Sequence, residues 1–122
     1  MYTMKEECSV RKAVNFLGKK WTLLILLELY KGKLKWKRFS QIKRNLDNIT
    51  SKILSIRLKE LERENLIEKR VNTAEFPIKS EYKLTKAGKG FIKVIKNMKK
   101  WSLKWRGKSK SCEETDCKDC EF

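Results

Sequence analysis

Asn48-Ile49-Thr50-Ser51-Lys52-Ile53-Leu54-Ser55-Ile56-Arg57-Leu58-Lys59-Glu60-Leu61-Glu62-Arg63-Glu64-Asn65 reads as a helix with a marked start. Thr50 suits the N-cap, where its hydroxyl accepts a hydrogen bond from a first-turn N–H that has no partner inside the helix. Leu54, Leu58 and Leu61 follow at i, i+4 and i+7 and make one apolar stripe. Lys52, Ser55, Ile56, Lys59 and Arg63 fall on the opposite side, flanked by Glu60 and Glu62. A helix that buries one face and shows cations on the other fits the major groove of a duplex. On a neutral protein the same pattern would be an ordinary solvated face, so the charge of the remaining chain decides.

That charge is +16 over 122 residues. The last sixteen residues hold three lysines against five acids, so the whole excess lies within residues 1–106. Like charges repel in a compact chain, and an excess of this size points to a polyanionic partner. The length suits one folded domain, 1–106, for binding and dimerisation, followed by a cysteine-rich acidic tail, 107–122. The longest apolar run, Trp21 to Leu27, is far too short to span a bilayer, so no membrane partner is expected. Residues 2–7 are polar and acidic, unlike a secretory leader. The expected compartment is the cytoplasm, where cysteines are thiols, metal ligands or redox switches rather than structural disulfides. The chain has no histidine, no glycine-rich phosphate loop and no pocket-like set of carboxylates, so it is not expected to be an enzyme.

The elements around the central helix follow from periodicity. Ser9 to Leu17 reads as a first helix ended by Gly18, and Trp21 to Tyr30 as a second, apolar nearly all round and closed by Gly32. Lys33 to Lys37 is a basic linker around Trp36, with the character of a short strand. Ser40 to Leu46 is a third helix, and the turn through Asp47 and Asn48 joins it to the Thr50 helix as a helix-turn-helix. The period then changes from 3.6 to 2. Leu66 to Val71 and Ile78 to Leu84 read as a hairpin around the chain's single proline, Pro77, which after a reading helix is a wing. Thr85 caps a long last helix whose stripe is Phe91, Val94, Ile95, Met98, Trp101 and Trp105. With Val10 and Val14 of the first helix, that stripe exceeds what one small domain can bury, and a second copy of the chain is expected to cover it. The fold class is therefore mainly α with a small β-hairpin wing: a winged helix-turn-helix with a long C-terminal dimerisation helix.

Five blocks in this order carry a family resemblance. They are Cys8 before the first helix, Gly18-Lys19-Lys20-Trp21-Thr22 with the apolar run behind it, Arg38-Phe39-Ser40, Ile49 to Leu61, and Glu81-Tyr82-Lys83-Leu84-Thr85. On these residues the chain resembles the HxlR-type winged helix transcriptional regulators, relatives of the MarR group. The resemblance implies a homodimeric DNA-binding regulator whose first and last helices build the dimer interface. It also implies that a cysteine in the position of Cys8 senses oxidants or electrophiles. Ile56 stands where the family commonly has a polar residue, and the cysteine tail lies outside the shared pattern.

The expected DNA surface follows. Ser51, Lys52, Ser55, Ile56 and Lys59 stand nearest the bases beside the cap Thr50, while Arg38, Lys43, Arg57, Arg70 and Lys79 neutralise phosphates. The expected partner is a palindromic operator in double-stranded DNA, bound by a homodimer. The competing class is a non-specific architectural nucleic-acid coat, for which the charge alone suffices; an electron carrier on the same scaffold is a third. The tail, Cys112-x4-Cys117-x2-Cys120, makes four cysteines with Cys8. Four thiolates complete a zinc site or hold an iron–sulfur cluster. The same cysteines also suit a disulfide switch between Cys8 and the tail, or loose thiols, and the spacing leaves these open.

Overall fold

The computed structural model describes residues 8–74, 76–107 and 109–120. The polar opening at residues 2–7 lies outside the described residues. Helix α1 is Ser9–Leu17, and α2 is Thr22–Tyr30. Trp21 precedes α2 with φ 82°, a left-handed conformation that a bulky side chain rarely adopts. A two-residue strand, β1 (Lys37–Arg38), leads into α3 (Phe39–Asn45), and Gln41 Oε1 accepts the Arg38 N–H at 3.0 Å as the first half of a cap. Helix α4 (Ser51–Arg63) starts as the sequence requires: Thr50 Oγ1 accepts the Ile53 N–H at 3.2 Å.

Strands β2 (Ile67–Asn72) and β3 (Lys79–Leu84) form the wing, with Ile67 opposite Leu84 and Asn72 opposite Lys79. Strand β1 adds to the outer edge of β3, Lys37 opposite Tyr82, so the sheet is three-stranded and antiparallel in the order β1-β3-β2. The last long helix, α5, is Lys86–Trp105. Thr85 ties its start to the end of the reader helix: Oγ1 accepts the Gly88 N–H at 3.1 Å, and its hydroxyl donates to the Asn65 carbonyl at 2.6 Å. The tail then forms a short helix, α6 (Lys110–Glu114), and a 3₁₀ turn at Cys117–Asp119.

The core collects the inward faces of these elements: Ile25, Leu26 and Leu29 of α2, Ile42 of α3, Leu54, Leu58 and Leu61 of α4, Tyr82 and Leu84 of β3, and Ile92 and Ile95 of α5. Helix α2 is central, packed by α1, α3, α4, α5 and β3. Although central and apolar nearly all round, α2 leaves Leu24 exposed. One expectation needs correcting here. Ile95, assigned above to a dimer face, is only 8% exposed and belongs to the chain's own core. The reason is helical phase: Ile92, outside the stripe read from sequence, and Ile95 stand three residues apart and turn inward together.

The tail is docked rather than detached. The Gly32 N–H donates to the Lys118 carbonyl at 2.8 Å, and the Lys118 ammonium to the Tyr30 carbonyl at 3.1 Å. Lys99 reaches the Thr115 carbonyl at 2.7 Å, and Lys96 pairs with Asp116 at 3.2 Å. Lys96 and Lys118 also stand over the Tyr30 ring, 5.2 and 4.9 Å from its centroid. Among the described residues, no helix is long and apolar enough to cross a membrane.

Candidate nucleic-acid interface

Helix α4 buries its leucine stripe and leaves Ser51, Lys52, Ile56 and Lys59 exposed, with Ser55 half-buried. Lys43 is exposed on α3. Between α4, the start of α3 and the wing runs an open cleft of about 610 Å³. Its walls bring together Arg38, Ser55, Lys59 and Lys79, all expected from the sequence, with Ser40 and Lys69, which were not. Among the described residues, four cations and no carboxylate line it. Ser40 and Ser55 add hydroxyls that can hydrogen-bond phosphate oxygens. A cleft with this lining accepts a polyanionic strand lying between helix and wing.

Lys69 escaped notice because periodicity places it on a strand without saying what lies beside it. The pairing of Lys69 with Tyr82 puts it on the helix-facing side of the sheet, along with Ser80. Only the register between β2 and β3 carries that information.

Two of the expected phosphate cations are otherwise engaged. Arg57 donates from Nε to the Lys20 carbonyl at 3.0 Å and from Nη1 to Glu60 at 3.1 Å. Lys19 meets the other oxygen of the same carboxylate. The Lys19 hydrogen bond, with Arg57 behind it, holds the Glu60 carboxyl below the usual carboxylate range. These contacts lock the reader helix to the segment between α1 and α2. Arg70 bridges to Glu81 at 2.9 Å and lies 4.2 Å from the centroid of the Trp36 ring, whose other cation is Lys83 at 4.8 Å. Arg70 therefore braces the wing stem against the linker that precedes β1.

Of the apolar residues assigned to a dimer face, Val10, Val14, Val94, Met98, Trp101 and Trp105 are exposed, while Phe91 packs against the core. Cys8 is exposed just before α1. Cys112, Cys117 and Cys120 are half-buried and line one mostly apolar cleft of about 470 Å³, with Leu27, Ile95, Met98 and Leu103. Among the described residues, no three acidic or thiol side chains are gathered as a ligand set for a metal ion.

Comparison with known proteins agrees with this geometry. The model of the family described as HxlR-like helix-turn-helix matches residues 16–110. The HTH-type transcriptional regulator YvaP of Bacillus subtilis is 39% identical over 94 residues, covering 77% of this chain and 83% of its own. A MarR-family transcriptional regulator from Porphyromonas gingivalis superposes with a TM-score of 0.73 at 33% identity, over 82% of this chain and 94% of its own. The reduced form of the B. subtilis regulator YodB gives a TM-score of 0.68 at 34% identity, over 89% and 98% respectively.

Proposed function

Because the chain belongs to the HxlR-like helix-turn-helix family of transcriptional regulators, we propose that it binds a short palindromic operator in double-stranded DNA as a homodimer. Helix α4 enters the major groove with Ser51, Lys52, Ser55 and Ile56 toward the bases. One phosphate strand lies in the cleft against Arg38, Lys59, Lys69 and Lys79. The observation that carries this reading is the cleft beside the reader helix, lined by Arg38, Lys59, Lys69 and Lys79. The exposed face of Val10, Val14, Met98, Trp101 and Trp105 supports a second copy of the chain as its cover.

The test is selection of duplexes from a randomised pool, followed by affinities for selected and random sequences at moderate salt. A regulator shows at least about a thousandfold preference and a two-fold-symmetric site. A ratio near unity makes the protein an architectural coat. Sedimentation of the chain and of Trp101→Glu reads the dimer separately: the variant should sediment as a monomer.

The finer proposal is that the cysteines carry the regulator's input. The docked tail with its three thiols on one cleft supports it, and YodB is known in reduced, diamide-treated and quinone-bound forms. Anaerobic purification with analysis of zinc, iron, sulfide and titratable thiols separates a zinc site, an iron–sulfur cluster and a disulfide switch on Cys8, Cys112, Cys117 and Cys120.

A further inference from the structure

The wing tip breaks the basic character of the surface around it. Thr73, Ala74, Glu75, Phe76, Pro77 and Ile78 run between the strands without one cation. Phe76 is 97% exposed and Ile78 61%. The stem's cations do not serve the tip. Arg70 is held by Glu81 and Trp36, Lys83 by Glu68 at 3.3 Å, and Lys79 lines the cleft wall. Ile78 lines that same cleft, so the surface is cationic beside the reader helix and turns apolar at its outer edge.

This arrangement orders the parts of a duplex. With α4 in the major groove and a phosphate strand in the cleft, the groove beyond that strand is the minor groove, and the wing tip faces it. Resting on the DNA reading above, we propose that Phe76 is an apolar wedge that enters this minor groove and partly unstacks one base step. A phenyl ring suits that place because an opened step exposes base faces and sugar C–H groups, which a cation does not complement. Pro77 fixes its own φ and stiffens the tip that carries the ring. The apolar tip also favours flexible pyrimidine–purine steps, which open most easily, and so adds sequence preference at a position with no hydrogen-bond readout.

The experiment uses the full chain and a duplex it selects from a randomised pool, with 2-aminopurine placed in turn at each flanking position. The wild type should brighten the probe at one step on each side of the site. Phe76→Ala should abolish the brightening and weaken affinity about tenfold, with an unchanged dependence on salt, whereas Phe76→Leu should keep most of both. Thermal unfolding should not change, since the ring touches little of its own chain. Undiminished brightening and affinity in Phe76→Ala overturn the wedge while leaving the regulator reading intact. A shift in sedimentation of the DNA-free Phe76→Ala chain, with DNA binding unchanged, assigns the tip to a protein contact and overturns it too. Failure of the wild type to select any duplex overturns the operator reading and the wedge with it.

Discussion

The ammonium of Lys37 lies 3.6 Å from a carboxylate oxygen of Glu28, an ion pair buried between β1 and the central helix α2. The same ammonium donates to the Glu28 carbonyl, and the Asn45 side-chain amide donates to the Glu28 carboxylate at 2.7 Å. One acid on α2 thus fixes both the strand that begins the helix-turn-helix and the end of its first helix.

Burial lowers the Lys37 pKa from the ordinary lysine value, and Glu28 offsets part of that pull. Between the lowered value and the ordinary one, the unfolded chain binds more protons, so this group's contribution to stability rises with pH across that window. Lys37→Met strands a buried carboxylate and should destabilise the fold by about 3 kcal/mol. Glu28→Gln with Lys37→Met should recover most of the loss. Equilibrium urea unfolding of the two single variants and the double checks this; strictly additive losses would show that the pair is not coupled.

Arg57 and Lys59 are two residues apart on the reader helix yet should fail differently. Lys59 is exposed on the cleft, so Lys59→Ala should leave stability within about 0.5 kcal/mol. It should weaken binding to every duplex and flatten the slope of log affinity against log salt by about 0.9. Arg57→Ala removes two hydrogen bonds that anchor α4 to Lys20 and Glu60 and should lose about 1 kcal/mol or more of stability as well. Thermal melts beside salt titrations separate the two, and equal stability of both variants would remove the anchor from the account.

Glu60 adds a pH dependence of known sign. Its carboxyl is held low by Lys19 first and Arg57 second, so the charged form is favoured in the folded chain. A depressed acid contributes stability above its unfolded pKa and loses it as pH falls through the folded one. Glu60→Gln should therefore melt below the wild type at neutral pH. The gap should close as the pH falls from the ordinary glutamate range through the lowered value of the folded chain. A gap that stays constant over that range would mean the carboxylate's charge is not what matters.

These contacts show where reading the sequence stops. The leucine stripe, the Thr50 cap and the change of period after Asn65 are local patterns, so the helix-turn-helix and its wing are legible in the sequence. Residues whose roles depend on partners across the fold are not. Arg57 reads as a free cation because its acceptor, the Lys20 carbonyl, lies 37 positions away. Lys37 reads as one more linker lysine because nothing in the linker announces Glu28. Ile95 reads as an interface residue because a stripe wider than one face has two destinations, and only packing divides it. How the tail docks is not legible in the sequence, because much of its docking rests on backbone carbonyls of Thr115 and Lys118, which carry no side-chain signature.

The docked tail sets an order of thiol reactivity. Cys8 is exposed, whereas Cys112, Cys117 and Cys120 are half-buried in a tail that the Lys96–Asp116 contact helps to dock. Lys96, with Tyr30 and Asp116 beside it, is held above the usual lysine range, and Asp116 below the usual carboxylate range by Lys96 first. Iodoacetamide at mildly alkaline pH should label Cys8 first and the tail thiols several-fold more slowly. Asp116→Asn should speed labelling of the tail without changing Cys8, as peptide mapping by mass spectrometry would read. Equal rates at all four cysteines in the wild type would mean the tail does not shield them.

Two glycines of α5 should respond to the same substitution with opposite signs. A Cβ on Gly88 would stand 2.2 Å from the Leu66 carbonyl oxygen, and that backbone is pinned because the carbonyl accepts the Thr85 N–H at 3.1 Å. Gly90, on the same helix, has open space where its Cβ would be. Alanine favours a helix over glycine by about 1 kcal/mol, so Gly90→Ala should stabilise the chain by up to that amount. At Gly88 the gain is outweighed by a clash that must push α5 away from the start of β2, and a net loss of about 3 kcal/mol is expected. The loss should appear in DNA binding as well, because the displaced segment feeds the wing whose lysines line the cleft. Urea midpoints of the two variants decide it: a Gly88→Ala protein as stable as Gly90→Ala would show that α5 does not approach Leu66 so closely.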